Sequence, residues 1–338
     1  MRSAVLREGQ FVLVSVPDPV PGVGQVLCRT LACGICGSDL HFASHRRDLV
    51  KNSQSESGNL EADVFMGHEF AAEVVQPGPE TTAPPAGTMV TSVPSLITDA
   101  GLHGLGFSSE YPAGFSEYLL LSERFLVEVP NGLSAEHAAM TEPMAVGAHA
   151  ITRSDIISDE AAVVLGCGPV GLAIIAGLVL AGVETIVAAD FSSARRALAA
   201  TMGATEVVDP REEPAVEAWR RIDGRKSLVM FEAVGMRGML GAAIEDCPRK
   251  ARIVVVGVCT EKDEILPAVA IQKELNIAFA LAYSRIEFSR TLENIAEGRI
   301  DVSSLITGRV GIGDVDSAFE ALGHPEEQCK MLVLPNLG

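Results

Sequence analysis

Nine consecutive residues, Cys33-Gly34-Ile35-Cys36-Gly37-Ser38-Asp39-Leu40-His41, gather two thiols, a hydroxyl, a carboxylate and an imidazole. Gly67-His68-Glu69 and Thr141-Glu142-Pro143 follow downstream. A catalytic zinc takes three protein ligands of N, S or O type and keeps one position open for water or substrate. Cys36, His68 and a glutamate offer such a set. Their separation along the chain is too large for a shared turn or helix face, so spacing alone does not establish a metal site. A small buried thiol at Cys36 and a satisfied interior histidine at His68 are the plain alternatives.

A second constellation is Gly166-Cys167-Gly168-Pro169-Val170-Gly171, preceded by the β-branched run AAVVL and followed by LAIIAGLVLAG. A GxGxxG pattern alone is weak; a strand before it, a helix after it and an acid about 20 residues on give it meaning. The next strand-like run, ETIVAA, ends at Asp190, about 20 positions beyond Gly171. In such a unit Gly166 permits a tight turn, Gly168 admits a pyrophosphate against the backbone, and Gly171 lets helix and strand pack closely. The helix N-terminus, starting at Pro169 and Val170, presents unpaired N–H groups to phosphate. A carboxylate at Asp190 accepts ribose hydroxyls and repels a 2′-phosphate, which favours NAD. Arg195 and Arg196 follow closely and are the residues able to hold a phosphate instead. The plain alternatives are a βα unit without ligand and, for Asp190, a helix cap, though Ser192 and Ser193 can serve there.

The elements that must position these groups change character along the chain. Residues 1–140 read as β-rich, with strand-like runs at Phe11–Val16, Gln25–Leu31, Phe70–Gln76, Met89–Val93, Phe115–Leu121 and Phe125–Val129 between Pro/Gly punctuation. The polar stretch 46–62 reads as a surface loop. From about 160, strand-like runs at 161–165, 185–189, 205–208, 227–231, 251–256 and 275–281 alternate with helical patterns such as Ser192–Met202 and Pro214–Ile222. That rhythm marks βαβ units on a parallel sheet, an α/β fold. The helical segment Ile286–Glu297 and a mixed tail follow.

The chain has 338 residues, enough for two domains. Its 26 Lys+Arg against 44 Asp+Glu give a net charge of −18, which disfavours nucleic acid and anionic lipid as partners. The 23 residues from Ala161 to Val183 carry no charge and pass a length test for a membrane helix. Two glycines and a proline lie near one end of that run, and acids flank it closely, so strand, turn and helix is the better reading. Seven scattered cysteines, an odd number, fit reduced thiols in a cytoplasm better than a disulfide framework. The N-terminus has no signal-peptide core.

Taken together, the motifs resemble the zinc-dependent medium-chain alcohol dehydrogenase family, end to end and in order. They are Gly-Ile-Cys-Gly-Ser-Asp-Leu-His at 34–41, Gly-His-Glu-Phe at 67–70, Gly-Phe-Ser-Glu-Tyr at 114–118, Glu-Pro-Met-Ala-Val-Gly-Ala-His at 142–149, the glycine fingerprint, and Phe-Glu-Ala-Val-Gly at 231–235. The Glu-Pro segment is most similar to the sorbitol, threonine and butanediol dehydrogenase branch. The resemblance implies a β-rich GroES-like catalytic domain, 1–144 completed by 285–338, and a Rossmann-type doubly wound parallel sheet at 145–284. It implies Cys36 and His68 as zinc ligands, with Glu69 or Glu142 as the third. Ser38 matches the hydroxyl that bonds the substrate alcohol, and His41 the histidine that passes the proton on through the nicotinamide ribose. Cys33 matches no ligand position. The implied activity is hydride transfer from a secondary alcohol, polyol or amino alcohol to NAD, in a homodimer or homotetramer. An NADPH-dependent carbonyl reductase and a non-catalytic NAD-binding protein are the alternatives. Relatives with a structural zinc hold it with four cysteines in a lobe that here spans 79–120. That stretch contains no cysteine, so one catalytic zinc and no structural zinc are expected.

Overall fold

The computed structural model describes residues 1–52, 61–130, 132–324 and 326–337. The chain divides into two compact units, one formed by 1–142, 288–298 and 302–338, the other by 143–287 and 299–301.

The second unit is built on a six-stranded parallel sheet. In spatial order its strands are Glu206–Val208, Thr185–Ala189, Ala161–Leu165, Leu228–Glu232, Arg252–Val255 and Asn276–Phe279. This is the doubly wound order in which the strand sequence reverses beside the first strand, leaving a crevice at the carboxyl ends. All six lie within or close to the strand-like runs of the sequence. Ala161–Val164 are buried, as a central parallel strand covered on both faces must be. The uncharged run therefore has its cause in the core of this unit. It splits into that strand and the helix Pro169–Leu180, whose Leu172, Ile174, Ile175 and Leu178 are all buried. Each such side chain contributes about 1.5–3 kcal/mol on burial. Among the described residues no helix is long and apolar enough to cross a membrane.

Two helix N-termini in this unit are capped by side chains. Ser192 caps the helix Ser193–Thr201 by accepting from the Arg195 N–H at 3.1 Å. At the helix Arg285–Ala296, Ser284 and Glu287 form a reciprocal capping box. The Ser284 N–H donates to the Glu287 carboxylate at 2.7 Å, and the Glu287 N–H donates to the Ser284 hydroxyl at 3.2 Å. His149 Nδ1 lies 3.1 Å from the same carboxylate. Burial pushes the Glu287 carboxyl pKa up, but hydrogen bonds from Ser284, Thr152 and His149 outweigh it and hold the pKa at about 2.

The first unit is the β-rich one. A seven-stranded sheet places Gln25–Gly34 at its centre, paired antiparallel with Glu69–Pro77, Tyr118–Ser122 and Lys330–Val333. A second sheet joins Gln10–Ser15, Arg2–Arg7, Val64–Met66 and Phe107–Ser108. Phe70, Phe115, Leu119 and Leu121 fill the core between them. The pairing of Gln25–Gly34 with Glu69–Pro77 is not regular. Arg29 faces Glu73 and Thr30 faces Ala72, but Ala32 then faces Ala71, so Leu31 is an extra residue bulged out of the ladder. In the segment from 79 to 120, a hairpin of Ser95–Thr98 and Gly101–Gly104 is tied down by buried Leu96 and Leu105. Its Ile97 N–H donates to the Ser122 hydroxyl at 2.7 Å.

The stretch 46–62 differs from its expected loop character. The helix that opens at Gly37 continues to Asn52, because no proline or glycine in 42–52 breaks it. The rest of that expectation, residues 53–60, lies outside the described residues.

Candidate functional site

Cys36 sits where the strand Gln25–Gly34 turns into the helix Gly37–Asn52. It occupies the cap position, and its N–H donates to Asp39 Oδ2 at 2.9 Å. Asp39 thus closes half of a capping box from the third helical position. That arrangement fixes the Cys36 backbone and leaves its thiol at the helix mouth. Its other oxygen, Oδ1, lies 3.3 Å from Nδ1 of His68. The two atoms make an ion-pair contact without the alignment of a hydrogen bond, and neither has another hydrogen-bond partner. Ser38 Oγ stands 3.4 Å from Nε2 of the same ring.

His68 ends the turn after Val64–Met66, and Glu69 begins the next strand. Gly67 adopts φ +93°, with Cys33 Sγ and the Phe115 ring packed where a side chain would go. The left-handed backbone and the lack of room both call for glycine there. Cys33 is buried, and burial pushes its thiol pKa well above the ordinary range. It is a packing residue, pointing away from metal chemistry.

One ligand atom each from Cys36, His68 and Glu69 all lie within 4.8 Å of one another. Glu142 is buried in the first turn of the helix Thr141–Ser154 but does not belong to this cluster. A thiol, an imidazole and a carboxylate are a fitting donor set for zinc. Asp39 behind His68 supplies the carboxylate that orients a ligating imidazole. Burial lowers the His68 pKa, while Asp39 and Cys36 raise it, and the balance falls well above the usual imidazole value. The imidazole therefore holds a proton firmly when no cation competes for it.

One residue of this centre, Lys330, was invisible in the sequence motifs. Lys330, on the strand Lys330–Val333, is fully buried and donates to Glu69 Oε1 at 2.7 Å, to Oε2 at 2.6 Å and to the Ile35 carbonyl at 2.9 Å. Burial lowers the Lys330 pKa, Glu69 and Cys36 raise it, and the net shift is upward. Gly34 faces Glu69 across the sheet, and a Cβ there would lie 2.0 Å from Glu69 Oε2. The carboxylate uses the space that any side chain at 34 would fill.

His41 lies one turn into the same helix. Its ring stacks on that of His45, with centroids 4.6 Å apart. Burial, then the charge of His45, lowers its pKa, so it is neutral and able to accept a proton near neutral pH.

In the second unit the glycine loop has the geometry its spacing implies. Gly166 has φ +89° and packs against Ala233 and Val234. A Cβ on Gly171 would lie 1.9 Å from the Gly166 carbonyl oxygen. Both glycines are fixed by the fold itself. Gly168 is different: its φ is −70° and an added Cβ would meet nothing within 4 Å. It caps the helix that starts at Pro169, so the open space lies at the N-terminal N–H groups, where an anion is stabilised. Asp190 Oδ2 accepts the Cys167 N–H at 2.8 Å, and Oδ1 accepts the Ser192 N–H at 2.8 Å. It therefore clamps the loop to the end of the second strand. Arg196 donates to the carbonyls of Asp190 and Phe191 and pairs with Asp209 at 3.2 Å. Arg211 pairs with Asp209 as well. Arg195 approaches Asp190 at 4.0 Å.

A donor set fit for zinc in a β-rich unit and a phosphate-ready glycine loop on a doubly wound sheet define a metal-dependent, dinucleotide-dependent oxidoreductase. Comparison with known proteins agrees. Residues 22–131 match the alcohol dehydrogenase GroES-like domain, and residues 169–297 match the zinc-binding dehydrogenase family. The chain is 32% identical to (R,R)-butanediol dehydrogenase of Bacillus subtilis over 95% of both proteins. It is 28% identical to sorbitol dehydrogenase of the same organism, over 99% of this chain and 98% of that one. The crystal structure of 2R,3R-butanediol dehydrogenase from Bacillus subtilis superposes with a TM-score of 0.84, 30% identity and 99% coverage of each chain. The chain belongs to the zinc-dependent medium-chain alcohol dehydrogenase family, and it is an oxidoreductase acting on CH–OH groups with zinc and a nicotinamide cofactor.

Proposed function

We propose that this enzyme oxidises a secondary hydroxyl of a vicinal diol or polyol, with NAD as hydride acceptor and one zinc per chain. The observation that carries the reading is the convergence of Cys36, His68 and Glu69 with Asp39 set behind the imidazole. Cys36, His68 and Glu69 hold the metal in this reading, and Glu142, outside the cluster, does not. When bound, zinc supplies the Lewis acidity that lets a hydroxyl lose its proton near neutral pH. Ser38, whose Oγ lies 3.4 Å from Nε2 of His68, takes that proton, and His41 accepts it and passes it on. Gly168 and the N–H groups after it receive the pyrophosphate, and Asp190 meets the ribose.

The choice of NAD rests on Asp190, whose charge opposes a 2′-phosphate, and on Arg196 and Arg211, which are already engaged by Asp209. The diol and polyol class follows the names of the relatives, butanediol and sorbitol dehydrogenases. The absence of cysteine from 79–120 supports a single zinc. Assembly as a homodimer or homotetramer is supported by the strand Asn276–Phe279, which forms the edge of the parallel sheet and leaves Phe279 exposed.

Zinc analysis together with NAD and NADP reduction across butanediols, sugar alcohols and amino alcohols tests the proposal. One zinc per chain, diol- or polyol-dependent NADH formation, and a preference for NAD of roughly tenfold or more are expected. Full turnover in metal-free protein, or a preference for NADP, would contradict it.

A further inference from the structure

The motif Phe231-Glu232-Ala233-Val234-Gly235 belongs neither to the metal cluster nor to the glycine loop. Glu232 is the last residue of the strand Leu228–Glu232, in register with Leu165 on one side and Val255 on the other. It therefore lies at the carboxyl end of the sheet, at the point where the strand order reverses. Although ionisable, it is only 2% exposed. Its Oε1 accepts the Val234 N–H at 2.7 Å and the Gly235 N–H at 2.8 Å. Its carbonyl accepts the N–H groups of Val256 and Gly257 at 2.8 and 2.9 Å. One residue thus ties two successive strand-end turns together. Burial pushes its carboxyl pKa up, the two amides pull it down, Asp263 adds to the rise, and the net direction is up.

The turns it holds interlock backbone to backbone. Gly235 has φ +70°, and a Cβ there would lie 2.6 Å from the Val258 N. A Cβ on Gly257 would lie 2.2 Å from the Gly235 N, and one on Gly166 would lie 2.9 Å from Val234 Cγ2. Yet the apolar side chains on these turns, Val234, Met236 and Val258, stand exposed. Exposed apolar groups on rigid turns at a topological switch point are placed to line a ligand crevice. A buried carboxylate is an expensive way to close a turn, whereas it is a precise way to hold one.

We propose that Glu232 is a positioning residue for the dinucleotide: it locks the 233–235 turn against the 256–258 turn, so that Val234 and Val258 form a fixed apolar wall of the cofactor crevice beside Gly166. The inference rests on the reading of the second unit as the NAD-binding unit.

The test compares the zinc-loaded wild type with Glu232→Gln, which keeps an acceptor oxygen, and Glu232→Met, which keeps length but no acceptor. NADH binding by fluorescence titration is expected to stay within about threefold in Glu232→Gln and to weaken about tenfold or more in Glu232→Met. The KM for NAD rises in parallel, while kcat changes by less than about threefold, because the wall touches no reacting atom. A folded Glu232→Met enzyme that binds NADH like the wild type overturns the proposal and leaves the NAD reading intact. Wild type that binds no NADH overturns the NAD reading itself, and this proposal with it. If Glu232→Met does not fold, hydrogen exchange at the Val234 and Gly235 amides of the wild type decides. Protection that deepens on NADH binding supports the tether, and protection indifferent to NADH overturns it.

Discussion

The metal cluster in the first unit is assembled from side chains on stretches far apart in sequence, while the glycine loop in the second is one uninterrupted run of backbone. The cluster depends on charge. A buried Lys330 neutralises Glu69, a buried Asp39 faces His68, and each has been removed from water at a cost that its partner helps to offset. The loop depends on the absence of side chains: Gly166 and Gly171 have no room for a Cβ, and Gly168 leaves space open at a helix N-terminus. The two halves of the reaction are therefore vulnerable in different ways. The cluster fails when a partner is lost, and the loop fails when an atom is gained.

That contrast can be broken deliberately. Cys36→Ser or His68→Ala removes a donor, and turnover is expected to fall by about a thousandfold or more. Bound zinc should be lost by metal analysis while NADH still binds. Loss of NADH binding in the same variants would mean that the two regions are not separable. Lys330→Met leaves Glu69 buried and unpaired, and a loss of about 3 kcal/mol in urea unfolding is expected. An unchanged midpoint would show that the pair contributes little beyond its own desolvation. Gly168→Val is the converse experiment. The fold has room for the new side chain, so melting temperature should hold, but NADH affinity should drop roughly thirtyfold or more as the pyrophosphate loses its approach. Gly171→Ala is the structural control, in which melting temperature falls first.

The smallest effect sharpens the comparison from inside the second unit, at a feature built from side chains. The Glu287 carboxyl is held at about 2, below its unfolded value of about 4.3, so it stabilises the fold at pH above the unfolded value. That contribution is lost as pH falls through the folded pKa. Glu287→Gln should cost about 1 kcal/mol at neutral pH after solvent screening. The gap to wild type should close between about pH 4.3 and pH 2 in thermal melts.

The same contrast explains what the chain discloses about itself. The glycine loop is local, so its strand, helix and acid can be read in order, and even Pro169 at the first helical position is legible. The buried strand Ala161–Leu165 reads as apolar without alternation because both of its faces are covered. The metal cluster is legible only in its parts. Cys36 and His68 are 32 residues apart, and no periodicity joins them. Asp39 carries a weak signal, a carboxylate three residues after a helix cap, but the cap is a cysteine rather than the usual Ser, Thr, Asp or Asn. Lys330 carries none, because it lies 261 residues from Glu69 and reaches it only through the sheet. The short strands Arg2–Arg7 and Val64–Met66 escape for the same reason: each is stabilised by its neighbours in the sheet rather than by its own propensity.

The bulge at Leu31 constrains how this chain can change over time. Because side chains alternate faces along a strand, one residue more or fewer between Ala32 and Gly34, beyond the bulge, changes which residue faces Glu69. Leu31 itself stands outside the register: without it Ala32, Cys33 and Gly34 would still face Ala71, Phe70 and Glu69. A change of length is therefore tolerable at the bulge and not beyond it, and descendants that keep the metal centre must also keep a glycine at 34.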